Sequence, residues 1–171
     1  MNIELKRSRY RKIAIAGVIA ALYSVVSLAL MPISFGVYQV RVSEALTILP
    51  FLTPAAIPGL FVGCLIANIF GGVGWQDIVF GSLLTLVAAV ATHQIGRLSR
   101  DMRYQKVAIW LAPLPPVLLN AFGVSAYLAP IIGVNYWFSV QMVVLGEIVS
   151  CYILGVPLLL LLRRRVAYFF N

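Results

Sequence analysis

Between Ile13 and Met31 the chain carries no charged side chain, and Lys6, Arg7, Arg9, Arg11 and Lys12 stand immediately before that run. A run this long crosses the roughly 30 Å hydrocarbon core of a bilayer as a helix, because lipid offers no partner to a free N–H or C=O. No small-residue cleavage site follows the basic flank, so the segment reads as a retained first span and not as a removable leader. Comparable runs recur to the end of the chain. With 62% hydrophobic and 11% charged residues and a mean hydropathy of +0.99, a soluble domain of 171 residues is excluded. The alternation expected of barrel strands is missing. The sequence predicts an all-α integral membrane protein, one membrane domain over residues 1–171.

Prolines, glycines and charges divide the apolar runs. Helices are expected at about 10–31, 43–52, 54–70, 75–95, 107–128 and 138–162. As a single helix, residues 43–70 would measure roughly 42 Å, so a turn near Phe51 to Pro54 and a short second helix are expected instead. Six spans return the chain to its starting side. Lys6, Arg7, Arg9, Arg11, Lys12, Arg97, Arg100, Arg103, Lys106, Arg163, Arg164 and Arg165 then share one side, which the positive-inside rule makes cytoplasmic, with both termini. Five spans would set Arg163 to Arg165 against the N-terminal cluster. The net charge of +8 is therefore a topology signal first and a contact for anionic lipid second, with no nucleic acid implied. Cys64 and Cys151 lie within apolar runs and read as small packing residues, not as a disulfide.

Of the five acidic residues, Glu4 and Asp101 fall in cytoplasmic segments, whereas Glu44, Asp77 and Glu147 do not. Glu44 and Asp77 occupy first turns of inward-running helices, where a carboxylate either caps the helix or holds something else. Glu147 lies about 13 Å down its helix from Phe138, a depth at which it needs a partner, a proton or a ligand. Arg41 is the one arginine on that side. Tyr136 and Glu147 are eleven residues apart, and Asn120 and Tyr127 seven, spacings that place each pair on one helix face. The expected result is a pocket open to the outside, lined by Glu44, Asn68, Asp77, Asn120, Tyr127, Tyr136, Gln141 and Glu147, with Trp75 and Trp137 at its rim. Such a lining suits a flat, hydrogen-bonding, cationic solute. Interface anchoring by the aromatics and ordinary interhelical bonding by the amides are the competing readings. The stretch PISFGVYQVRVS is expected to fold back over the cavity.

In the first helix, Ala16 with Ala20 and Gly17 with Ala21 give two small-xxx-small spacings, suited either to internal packing or to docking on another membrane protein. Enzyme signatures are missing: no phosphate-binding loop, no HExxH, and no cysteine and histidine set suited to a metal. His93 in THQIGR suits a packed or interfacial role. No cofactor is expected, and work on a solute must come from a partner or an ion gradient.

Residues 41–89, RVSEALTILPFLTPAAIPGLFVGCLIANIFGGVGWQDIVFGSLLTLVAA, with LNAFGVSAYL and GEIVSCYILGVPL further on, resemble the QueT family of substrate-binding membrane subunits. The resemblance implies a six-helix S component of an energy-coupling factor transporter in a prokaryotic plasma membrane. It implies two kinds of partner, a transmembrane coupling subunit and two cytoplasmic ATPases that hydrolyse the ATP. The implied solute is a queuosine precursor, a 7-deazaguanine with an aminomethyl arm. On the same footing Ala16, Gly17, Ala20 and Ala21 match the docking surface of S components, and Glu44 in VSEA and Asp77 in GWQD become pocket residues. Glu147 or Glu44 would then take the base edge and Asp77 the amine. The rival function is a stand-alone, proton-coupled carrier for a small cationic or aromatic solute, with Glu147 as its proton site.

Overall fold

A computed structural model describes residues 3–35, 40–99 and 105–170, and side chains within 6–35, 40–99 and 105–163. Residues 36–39 of the stretch expected to cover the cavity, together with Arg100, Asp101 and Arg103, lie outside the described residues, as do the side chains of Glu4, Arg164 and Arg165. Every described element is helical. The long helices are α1 (Ile3–Ala29), α4 (Asp77–Leu98), α5 (Gln105–Ile132) and α6 (Tyr136–Arg163), all long and apolar enough to cross a membrane. Two shorter apolar helices, α2 (Val42–Phe51) and α3 (Ala56–Gly71), complete the bundle, and a single turn, Met31–Ser34, follows α1.

Cross-helix contacts fix the direction of each helix. Tyr23 meets Glu44 and Ser27 meets Ser43, so α2 runs against α1. Gly59 meets Ala16 and Gly63 meets Ala20, so α3 runs with α1. Thr85 reaches back to Cys64, Thr92 reaches Ala112, and Asn120 reaches Glu147, which reverses the direction at α4, α5 and α6 in turn. Lys6 to Lys12, Arg97, Lys106 and Arg163 accordingly collect at one end of the bundle. Arg41, Asn68, Asp77 and Tyr127 lie toward the other.

The turn predicted near Phe51 to Pro54 is present, but α2 is a 3₁₀ helix and not an α-helix. At about 2.0 Å per residue its ten residues span roughly 20 Å, against about 15 Å as an α-helix. Eclipsed i, i+3 side chains put Glu44 and Thr47 on one ridge, and burial of Ser43, Glu44, Ala45, Thr47, Ile48, Leu49 and Pro50 makes α2 the centre of the molecule. One apolar cluster joins Ile19 and Tyr23 of α1 to Leu49, Ala56, Leu60, Cys64, Ala67 and Ala89. A second joins Ile48 to Ile109, Ala112, Val156 and Leu159.

The α1–α3 seam depends on missing side chains. A Cβ at Gly59 would lie 2.7 Å from the Ala16 carbonyl oxygen, and one at Gly63 2.8 Å from that of Ala20. Backbone therefore meets backbone there. Prolines leave carbonyls to be satisfied by side chains. Pro116 has no N–H for Ala112, whose oxygen accepts from Thr92 Oγ1 at 3.1 Å; Pro54 has none for Pro50, whose oxygen accepts from His93 Nδ1 at 2.8 Å. His93 thus takes the packed role its position suggested. Left-handed Gly72 and Gly133 close α3 and α5.

Candidate functional site

Three helices widen into π turns, and each turn adjoins a carboxylate or amide named above: Asp77–Gly81 in α4, Asn120–Val124 in α5, and Ile148–Gly155 directly after Glu147 in α6. A π turn inserts a residue, re-aims the side chains around it and releases a carbonyl, features concentrated at functional sites. In α4, Asn68 Nδ2 donates to the Asp77 carbonyl oxygen at 2.8 Å, and Thr85 Oγ1 bonds back to the Gly81 carbonyl four residues earlier at 3.0 Å. In α5 the insertion separates two residues seven positions apart. Asn120 turns to α6, donating to Glu147 Oε1 at 2.8 Å, while Tyr127 turns to α4, donating to Asp77 Oδ1 at 2.6 Å.

Around these contacts an apolar bundle encloses a polar centre. Asn68 and Asp77 are 0% exposed, Glu44 1%, Asn120 and Glu147 4%, and Arg41 6%. Glu44 Oε1 accepts from the Tyr23 hydroxyl. Glu147 is satisfied at both oxygens, by Asn120 and by the Cys151 thiol at 3.2 Å. Asp77 Oδ2 faces Arg41 Nη2 at 3.7 Å, an ion pair longer than a hydrogen bond. Both Glu44 and Asp77 lie in the first turn of their segments, as expected, and among the described contacts neither accepts from a helix N–H through its side chain. Glu44 Oε2, Asn68 Oδ1, Asp77 Oδ2 and Arg41 Nη2 are buried without a hydrogen bond. Native interiors rarely leave four such atoms together, because each unpaired group costs about 1–3 kcal/mol.

The remaining expected residues are distributed differently. Trp75 and Trp137 are each 63% exposed; Trp75 leans on Phe80, and Phe80 on Tyr127, with ring centroids 6.0 and 6.3 Å apart. Tyr136 donates to the Phe122 carbonyl at 3.3 Å on an exposed side of the bundle, so the eleven-residue spacing does not bring it to Glu147. Gln141 is exposed and does not join the polar centre: Ser139, Val140 and Val143 carry the buried face of that turn. Ala16 and Ala20 pack on α3, whereas Gly17 and Ala21 are exposed.

Tyr23, Cys64, Thr85 and Cys151 belong to the centre and escaped the sequence reading. Tyr23 carried a usable signal, since a tyrosine in the middle of an apolar span needs a partner for its hydroxyl. Both cysteines are free and buried, yet they do more than fill space. Cys64 Sγ receives Asn68 at 3.4 Å and Thr85 at 3.3 Å.

The geometry can be set beside known proteins. The queuosine precursor transporter QueT of Lactococcus lactis subsp. cremoris (strain MG1363) is 36% identical over 85 residues, which are 48% of this chain and 50% of that relative. The chain thus aligns with half the length of its curated relative. No solved structure matches it. The family model described as QueT transporter matches residues 13–164, from within α1 to the end of the apolar stretch of α6, and this multi-pass membrane chain belongs to that family.

Proposed function

We propose that this chain is the substrate-binding S component of an energy-coupling factor importer, and that its solute is 7-aminomethyl-7-deazaguanine or a close analogue. The observation that carries the reading is the polar centre, where Glu44, Asp77, Glu147 and Arg41 are all buried and where Glu44 Oε2, Asn68 Oδ1 and Asp77 Oδ2 accept no hydrogen bond. The proposed solute supplies donors of the required kinds: a ring N–H, an exocyclic amine and an ammonium. Glu44 takes the base edge through Oε2, because both oxygens of Glu147 already accept, and Asp77 takes the ammonium. Asn68 contributes its free carbonyl. Asn120 and Cys151 hold Glu147 in place behind the solute. The name of the relative, a queuosine precursor transporter, supports the same solute.

In this reading all six helices count as spans, both termini are cytoplasmic, and the solute enters at the end away from the basic clusters. Gly17 and Ala21 form the accessible part of the docking surface for the coupling subunit, while Ala16 and Ala20 seat α1 on α3 behind them. ATP is hydrolysed by the partner ATPases. Release requires that docking lower the affinity of the site, since only differential affinity shifts an equilibrium.

Calorimetry on detergent-purified protein with 7-aminomethyl-7-deazaguanine tests the solute. Uptake into vesicles, with and without the coupling subunit and ATPases, tests the assembly. Saturable binding by the chain alone, with accumulation only when partners and ATP are present, is expected. Accumulation by the chain alone would replace the S-component reading with a proton-coupled carrier.

A further inference from the structure

Arg41 is poorly accommodated for a buried arginine. Its guanidinium has five donors in a planar fork. Its described contacts are the Cys64 sulfur 4.0 Å from Nη1, the Asp77 carboxylate at 3.7 Å, and the Phe35 ring, whose centroid lies 4.8 Å from Cζ. Nη2 makes no hydrogen bond, and neither does Asp77 Oδ2 opposite it. A permanent structural ion pair at this depth would be expected to close into a bidentate contact of about 2.7–2.9 Å, because desolvating two charges is repaid only by good geometry. This pair is held near its partner without being joined to it.

Phe35 explains what holds it and what lies above. The ring presses on Gly71, where any Cβ would collide with it. It also lines a cavity of about 340 Å³ at the outer end of the bundle, with Gly71, Gly72, Val73, Leu128 and Ile131. Phe35 thus belongs to the cavity lining and to the contact with Arg41, and Arg41 in turn faces Asp77.

We propose that Arg41 is a resident stand-in for the solute's cation: it occupies the place at Asp77 that a ligand ammonium or amidinium takes, and loading the site exchanges one cation for the other, with entry through the cavity over Phe35. The exchange keeps Asp77 paired in both the empty and the loaded protein, so neither state buries a lone carboxylate. It also makes the site selective by charge, since a neutral ring cannot replace Arg41 at Asp77. The choice of deazaguanine as the solute rests on the function proposed above; the stand-in role does not.

Two probes separate these claims. In wild-type protein and in Arg41→Ala, affinity is measured for 7-aminomethyl-7-deazaguanine and for 7-methyl-7-deazaguanine, the same ring without the ammonium. Removing the competitor should tighten the amine by about tenfold or more, the scale of one charged hydrogen bond, and leave the methyl compound unchanged. Methylguanidinium at millimolar concentration should raise the melting temperature of Arg41→Ala saturably and leave wild type unmoved, because it refills the vacated place. Phe35→Ala keeps the charge and loosens its support, so it should shift amine affinity in the same direction, and it carries the test if Arg41→Ala does not fold. Weaker amine binding, or an equal change for both rings, would mean that Arg41 stays and contacts the solute, and would overturn the proposal, as would Arg41→Ala indifferent to methylguanidinium. Wild-type protein that binds neither ring, with Arg41→Ala that takes up methylguanidinium, would remove the proposed solute and keep the stand-in.

Discussion

The α1–α3 seam and the polar centre are neighbours built on opposite terms. Along the seam, Gly59 and Gly63 admit the Ala16 and Ala20 carbonyls so closely that no other residue fits. One residue-length further along α3, Cys64 begins a region where Asn68, Asp77 and Arg41 are buried with bonds unmade. Gly59, Gly63 and Ala20 of the seam are buried, as are Asn68, Asp77 and Arg41 of the centre. Burial alone therefore does not distinguish structure from function in this bundle; completeness of contact does. A seam with nothing missing is finished by folding, whereas the centre keeps three acceptors and one donor without hydrogen bonds, which in the proposed function the solute completes.

That contrast breaks first at the seam. Gly63→Val places side-chain atoms against the Ala20 carbonyl and the Tyr23 Cβ, both 2.8 Å from its own Cβ position. It should cost about 3 kcal/mol or more, seen as a lower melting temperature and loss of a monodisperse peak in detergent. The centre should respond in the opposite sense. Glu44→Gln should lower affinity for 7-aminomethyl-7-deazaguanine by about a hundredfold, roughly 2.7 kcal/mol, while leaving the melting temperature equal or higher, because a buried charge disappears with the site. A large fall in stability would show Glu44 to be structural.

Thr92→Val sharpens the comparison from the half of the bundle nearer the basic clusters. It orphans the Ala112 carbonyl freed by Pro116 and should cost about 1 kcal/mol in stability, with solute affinity unchanged. The smallest effect belongs to Gln141→Leu, expected within about 0.5 kcal/mol in stability and silent in calorimetry, since the side chain is exposed and away from the centre. A loss of binding there would require a different site.

Much of the architecture was legible because membrane helices are written in long, simple patterns. Apolar runs bounded by basic clusters name the spans, and Pro54 with its neighbours marks the break between α2 and α3. Carboxylates inside such runs announce themselves by their rarity, which is why Glu44, Asp77 and Glu147 stood out. Helical periodicity was less dependable. It assumes 3.6 residues per turn, and the π turn at Asn120–Val124 breaks that count between Asn120 and Tyr127, whereas Tyr136–Glu147 is regular α-helix and there a shared face did not bring two residues to one site. Tyr136, placed by that arithmetic, bonds to the Phe122 carbonyl instead, and Gln141, expected in the lining, is exposed. Tyr23 and Cys151 were passed over because a hydropathy pattern treats them as filling.

The sequence by itself determined that this chain is helical, membrane-bound and equipped with a few acidic groups too costly to bury without purpose. These follow from composition and local order, since lipid forbids unpaired backbone and penalises charge wherever they occur. Only the tertiary structure decided which carboxylate is already satisfied, which is open, and that Arg41 stands at Asp77 and not at Glu147. Those outcomes depend on distances of a few ångströms between residues up to about a hundred positions apart, such as Glu44 and Cys151. Such distances are set by how one helix turns against another, and no local pattern encodes them.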